Sequence, residues 1–195
     1  MPLNSIKTGL KEWAVTSDAL ANGEQIFLLR KGGIREDGRH FKIEREKFLL
    51  YPGLFHEGDI LLKNEYRHML NSTSGADFTK EIPLSVYCEL FETIDISGEE
   101  NINALYEYHI WSKKFPINRL SWKPSHPLKL MIIRAYRMQS TVLMPVEDSY
   151  KGCKSWVDFS REIDVSDVTP AVADAEFHNR INTIYDALNI NYMNG

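Results

Sequence analysis

The chain has 195 residues, a net charge of −4, 43% apolar and 26% charged residues, enough for one well-filled core or two small ones and ordinary for a globular domain. No apolar run approaches the ~20 residues a membrane-spanning helix needs, no secretory pattern opens the sequence, and Cys88 and Cys153 sit outside any disulfide or zinc spacing. A membrane-spanning helix and a disulfide scaffold are thereby argued against, and a single cytoplasmic domain over 1–195 is expected, with no cofactor.

Residues 5–22, with Leu10, Trp13, Ala14 and Leu20 on one stripe, predict an N-terminal helix ended by Asn22-Gly23. Gln25 to Arg30 is a short apolar run expected as a strand covered on both faces. Lys31-Gly32-Gly33 ends it, and a charged loop follows to His40. Phe41 to Tyr51 reads as a second strand closed by Pro52-Gly53, so the two strands are expected to pair as a hairpin with a basic tip. Asp59 is placed to cap a helix through Leu70. Asn71 to Asp77 is the most loop-like segment. Pro83 to Ile96 is rich in β-formers, and Glu99 and Glu100 suit the first turn of a short helix carrying Ile102 and Leu105.

The stretch from Tyr108 to Val146 stands apart. It holds Lys113, Lys114, Arg119, Lys123, Lys129, Arg134 and Arg137 and no Asp or Glu, so its 39 residues carry +7 and the other 156 carry −11. Tyr108, Trp111, Phe115, Trp122 and Tyr136 are interleaved with the cations. Cations among flat rings suit a polyanion with bases to stack; the same pattern also describes a solvated basic face over an aromatic core. Pro116, Pro124 and Pro127 prevent a long helix. Leu128 to Met138 is the strongest strand signal, and Val142 to Val146 is expected as its hairpin partner. On period two, Arg134 and Arg137 fall on opposite faces; Arg137 is expected to be the structural one and Arg134 the surface one. Asp164 to Thr169 reads as an acidic loop, and residues 171–188 as a C-terminal amphipathic helix through Val172, Phe177, Ile181, Ile184, Tyr185 and Leu188. The expected fold is α+β: a mixed or antiparallel sheet, with a small curved barrel as one form, flanked by N- and C-terminal helices.

Several unusual words occur in one order: K-E-W-A-V (11–15), L-L-R-K-G-G-I-R-E (28–36), F-L-L-Y-P (48–52), H-I-W (109–111), the Arg119, Trp122, Pro124 group, L-x-L-M-I-I-R-A-Y-R-M (128–138) and Y-x-G-C-x-S-W-V (150–157). With these the chain resembles the family called domain of unknown function 1802, from about Leu10 to Phe177. The resemblance implies no established activity. It implies an association with restriction-endonuclease-like domains, hence a restriction or defence setting with DNA as the polymer recognised and a nuclease as a partner protein.

That setting calls for a nuclease test. The expected acidic-x-Lys pair is absent: no Lys has Asp or Glu two residues before it. His40, His56, His68, His109, His126 and His178 form no H-x-x-H or H-E-x-x-H pair. Lys31-Gly32-Gly33 can cradle a phosphate through backbone N–H groups, beside Arg35 and Arg39, or serve as a glycine turn. Cys153, next to Lys154, is the candidate nucleophile, with His109 or His126 as base, or a thiol packed under Trp156. The reading adopted is a nucleic-acid-binding module, DNA favoured, that uses Lys31, Arg35, Lys113, Lys114, Arg119, Trp122, Lys123 and Arg134. The alternatives are a degenerate metal-dependent nuclease, a hydrolase built on Cys153, and a protein-interaction subunit whose acidic remainder would allow self-association.

Overall fold

The computed structural model describes residues 5–31, 45–54, 59–70, 77–122, 127–152 and 154–190. In chain order these form β1 (Ser5–Trp13), α1 (Ala14–Ala21), β2 (Phe27–Arg30), β3 (Lys47–Gly53), β4 (Glu81–Ile96), α2 (Gly98–Ala104), α3 (Lys114–Ser121), β5 (Leu128–Pro145), β6 (Trp156–Asp164), β7 (Val168–Pro170) and α4 (Asp174–Ala187). Short 3-10 turns lie at Asp59–Leu61, Asn64–Tyr66, Tyr106–Tyr108 and Asp148–Tyr150. The strands build one sheet in the order β2-β5-β4-β3-β1-β6, with β7 also on β5. β1 and β3 run parallel; the other pairs are antiparallel. The sheet is mixed, as expected, but open: β2 and β6 end it and do not meet, so the barrel form is not adopted.

The sheet is organised by β4 and β5, which pair from Glu81↔Pro145 to Ile96↔Leu128 with register shifts between Leu84 and Val86 and between Leu90 and Glu92. β5 passes through Met138–Thr141 without turning, because M-Q-S-T holds none of the Gly, Asn, Asp or Pro a tight hairpin uses. The expected partner of Leu128–Met138 is therefore β4, and Val142 continues the same strand opposite Leu84. The hairpin expected between residues 25–30 and 41–51 is not formed either. β2 pairs β5 and β3 pairs β1 and β4, which puts two strands between them. Residues 32–44, with the predicted basic tip, lie outside the described residues.

The N-terminal helix begins nine residues later than its apolar stripe suggests, since Ser5–Trp13 is a strand. Tertiary pairing overrides local pattern here: Leu10 lies opposite Leu50, and Gly9 lets β1 approach β6. A Cβ at Gly9 would come within 2.5 Å of the Phe159 ring. Residues 59–70 carry two 3-10 turns in place of the expected helix, and Asp164–Thr169 contains the start of β7. The C-terminal helix forms as expected and buries Phe177, Ile181 and Ile184 against Phe27, Leu130 and Ile132. On the opposite side of the sheet, Leu20 of α1 packs with Leu28, Phe48, Leu50, Met131 and Ile133. A separate apolar group, Val15, Ala19, Leu62, Ile110, Trp111 and Phe115, fastens α3 to α1 and positions the basic surface.

Candidate nucleic-acid interface

The H-I-W segment that leads into α3 is bonded on both sides. Gln25 accepts from the Ile110 N–H (3.2 Å) and donates to the Phe27 carbonyl (2.8 Å). The Ile110 carbonyl accepts from the Lys63 N–H (3.0 Å), and the Ser112 N–H donates to the Leu61 carbonyl (2.8 Å). Trp111 stacks on Phe115 with ring centres 4.1 Å apart, and Trp13 meets both rings edge-on or tilted at 5.3 and 5.4 Å. This anchoring presents α3 to solvent along one side. Lys113 and Lys114 stand exposed at its start, with the Lys113 amine 5.4 Å from the Tyr106 ring centre. Arg119 lies over Phe115 (4.8 Å) and Trp13 (5.4 Å). Trp122, 39% exposed, follows the last turn.

Four of the eight sequence-derived residues, Lys113, Lys114, Arg119 and Trp122, thus share one short helix and its flanks. Lys31 and Arg134 are placed differently. Lys31 is 5% exposed, burial lowers its amine below the ordinary value, and the amine donates to the Leu120 carbonyl. That carbonyl is among the last four of α3, which have no partner inside the helix, so Lys31 acts as a C-terminal cap on the negative end of the dipole. Arg134 is 8% exposed and paired with Asp174 in the first turn of α4, with its guanidinium 4.7 Å from the Phe177 ring centre. The expectation for the two β5 arginines is reversed: Arg134 is the structural one and Arg137 is exposed. The physical reason is α4, which lands on the Arg134 side of the strand. Arg35, Lys123 and Cys153 lie outside the described residues.

At its positive end α3 is arranged against its own dipole. Two lysines occupy its positive end and no acidic residue lies in its first turn, a placement that disfavours the helix and favours an anion. Beside the adjoining turn Tyr106–Tyr108 lie Lys63, which sequence reasoning passed over, and His109, which it weighed as a base for Cys153. Lys63 and His109 are both buried against Tyr106. Burial, with the nearby Lys63 charge, pushes His109 down to about 3.

A model of the family described as domain of unknown function (DUF1802) matches residues 9–183. The chain belongs to that family. Neither a curated protein nor a solved structure matches it. The DUF1802 words map onto structural anchors: H-I-W onto the α3 attachment, and the R-A-Y of β5 onto the contact with α4. Among the described residues no helix of this DUF1802 chain is long and apolar enough to cross a membrane.

Proposed function

We propose that this chain is a nucleic-acid-binding module, DNA favoured, that works in the cytoplasm within a restriction or defence system beside a nuclease partner. The reading is supported above all by α3: two exposed lysines at the positive end of a helix, with an exposed indole and a half-buried guanidinium at the other. The two amines there suit a phosphate, and Trp122 offers a stacking face to a base. Lys113, Lys114 and Arg119 are the cations assigned to phosphate. Lys31 and Arg134 leave the set because their charges are spent on Leu120 and Asp174.

Fluorescence anisotropy with single- and double-stranded oligonucleotides at graded salt tests this. Three phosphate contacts give log K against log salt a slope of about −2 on a single strand. Trp122→Ala is expected to lower affinity by about 1–3 kcal/mol without changing that slope. A flat salt response, or no binding at low salt, removes the proposal.

A further inference from the structure

α3 hides one side and shows the other. Phe115 and Pro116 are buried, while Lys114, Asn118, Ser121 and Trp122 are exposed. Lys114, Asn118 and Trp122 follow one another at intervals of four, so they form one inclined row along the helix. The backbone fixes the last step. The Trp122 N–H donates to the Asn118 carbonyl at 3.1 Å, which keeps Trp122 one turn beyond Asn118 although its own backbone is already extended. The row reads amine, amide, indole, with a rise of about 6 Å per step.

Asn118 is the member that neither the charge pattern nor the aromatic pattern of the sequence singles out. An Asn inside a helix is disfavoured, because its amide competes for backbone hydrogen bonds and suits caps and turns better. Asn118 caps neither end of α3, and its side-chain amide makes no hydrogen bond among the described residues. Ser121, the other uncharged polar residue on this side, is already turned back on the Ile117 carbonyl (3.0 Å). The Asn118 amide therefore stands in solvent with a donor and an acceptor open, between a lysine and an indole.

The three side chains match three parts of a nucleotide strand. An amine attracts a phosphate, an amide meets a base edge through two hydrogen bonds, and an indole stacks on a base face. Spacing decides the form of the strand. Along one strand of a duplex, bases follow at ~3.4 Å and cover one another's faces. Asn118 and Trp122 lie about 6 Å apart along the axis, and an indole needs a base face left uncovered. A strand drawn out along α3 meets both conditions, with one base at each side chain. Adenine suits the pair best: its double ring gives a wide stacking face, and its N6 amine beside N7 is the donor–acceptor pair an Asn amide recognises.

We propose, resting on the nucleic-acid reading above, that the ligand of α3 is a single strand and that Asn118 is its specificity-determining residue. Lys114 holds a phosphate, Trp122 stacks on one base, and Asn118 bonds the edge of the neighbouring base, adenine favoured.

The test is fluorescence anisotropy of the full chain with short labelled homopolymers of deoxyadenosine, deoxycytidine and thymidine, and with a mixed-sequence duplex of the same length. The adenine strand is expected to bind about tenfold more tightly than the other strands and the duplex. Asn118→Ala places a better helix former at an exposed position, so circular dichroism should show a folded chain. In that variant the three strands should bind alike, with the salt slope and the preference over duplex kept. A duplex bound as tightly as the single strands overturns the single-strand assignment. Equal binding of the three strands by the unaltered chain, or an adenine preference that survives Asn118→Ala, overturns the role of Asn118. Binding of no oligonucleotide at low salt removes the nucleic-acid reading and this inference with it, whereas tight duplex binding removes the inference alone.

Discussion

Lys113 and Arg134 come from one acid-free stretch, and the fold uses them in opposite ways. Lys113 stands in solvent at the start of α3. Arg134, twenty-one positions later, is covered by α4 and joined to Asp174, forty residues further along. The contrast teaches that charge segregated along a sequence is not segregated in space. The carboxylates missing from residues 108–146 are returned by elements that pack on them: Asp95 on β4 for Lys129, Asp174 on α4 for Arg134. What stays unreturned, at Lys113 and Lys114, is the surface proposed to meet a polyanion.

The buried group differs from the exposed one most in its response to pH. His109 titrates near 3 in the fold and near 6.5 in an unfolded chain. Between those values the unfolded chain binds the extra proton, so stability is fully present above about pH 6.5 and falls as pH drops toward 3. Urea unfolding at pH 7 and pH 4 is expected to show a His109-dependent loss of about 3 kcal/mol. In His109→Gln, whose amide oxygen can still accept from Trp111, that part of the slope should vanish. An unchanged slope would place the proton uptake elsewhere.

Arg134→Ala comes next. It removes the ion pair and the guanidinium packed on Phe177 and Tyr136, with an expected cost of about 2–3 kcal/mol, most of it packing. Asp174 is largely exposed, so Asp174→Asn should cost under about 1 kcal/mol. Neither change should alter the salt slope of oligonucleotide binding. A slope that flattens in Arg134→Ala would return this arginine to the interface.

Much of the fold was legible because apolar runs set it. Gln25–Arg30, Pro83–Ile96 and Leu128–Met138 are rich in β-forming apolar residues, and Phe177, Ile181 and Ile184 keep helical spacing. The pairing was not legible, because strand partners are chosen by the whole sheet. Nothing local says that Ser5–Trp13 runs beside β3, where Gly9 exists to clear Phe159. The proposed interface was readable to the same depth. The basic and aromatic residues of α3 announce themselves by type, while the fate of Lys31 and Arg134 depended on Leu120 and Asp174, which no spacing rule connects to them. Lys63 left no mark in the sequence: its surroundings are assembled from two turns more than forty residues apart.

Lys31→Met separates capping from contact. The Leu120 carbonyl loses its donor, with an expected cost of about 1–2 kcal/mol in urea unfolding. The salt slope should hold, since the amine is turned inward; a drop of about 0.7 on a single strand would make Lys31 a phosphate contact.

The smallest effect on stability decides the most about function. In Lys113→Glu/Lys114→Glu the positive end of α3 gains two carboxylates in place of two amines, so the helix dipole is complemented and stability should rise by about 0.3–1 kcal/mol. Oligonucleotide affinity should fall at least tenfold, with the slope moving from about −2 toward −0.7 as Arg119 alone remains. The opposite signs are what matters. A surface that exists only to hold the fold would not keep both lysines where they weaken their own helix, whereas one that meets a phosphate would. If stability and binding fall together, the lysines hold α3 in place and its basic face has no claim to a ligand; if stability rises and binding is untouched, the phosphates are held elsewhere.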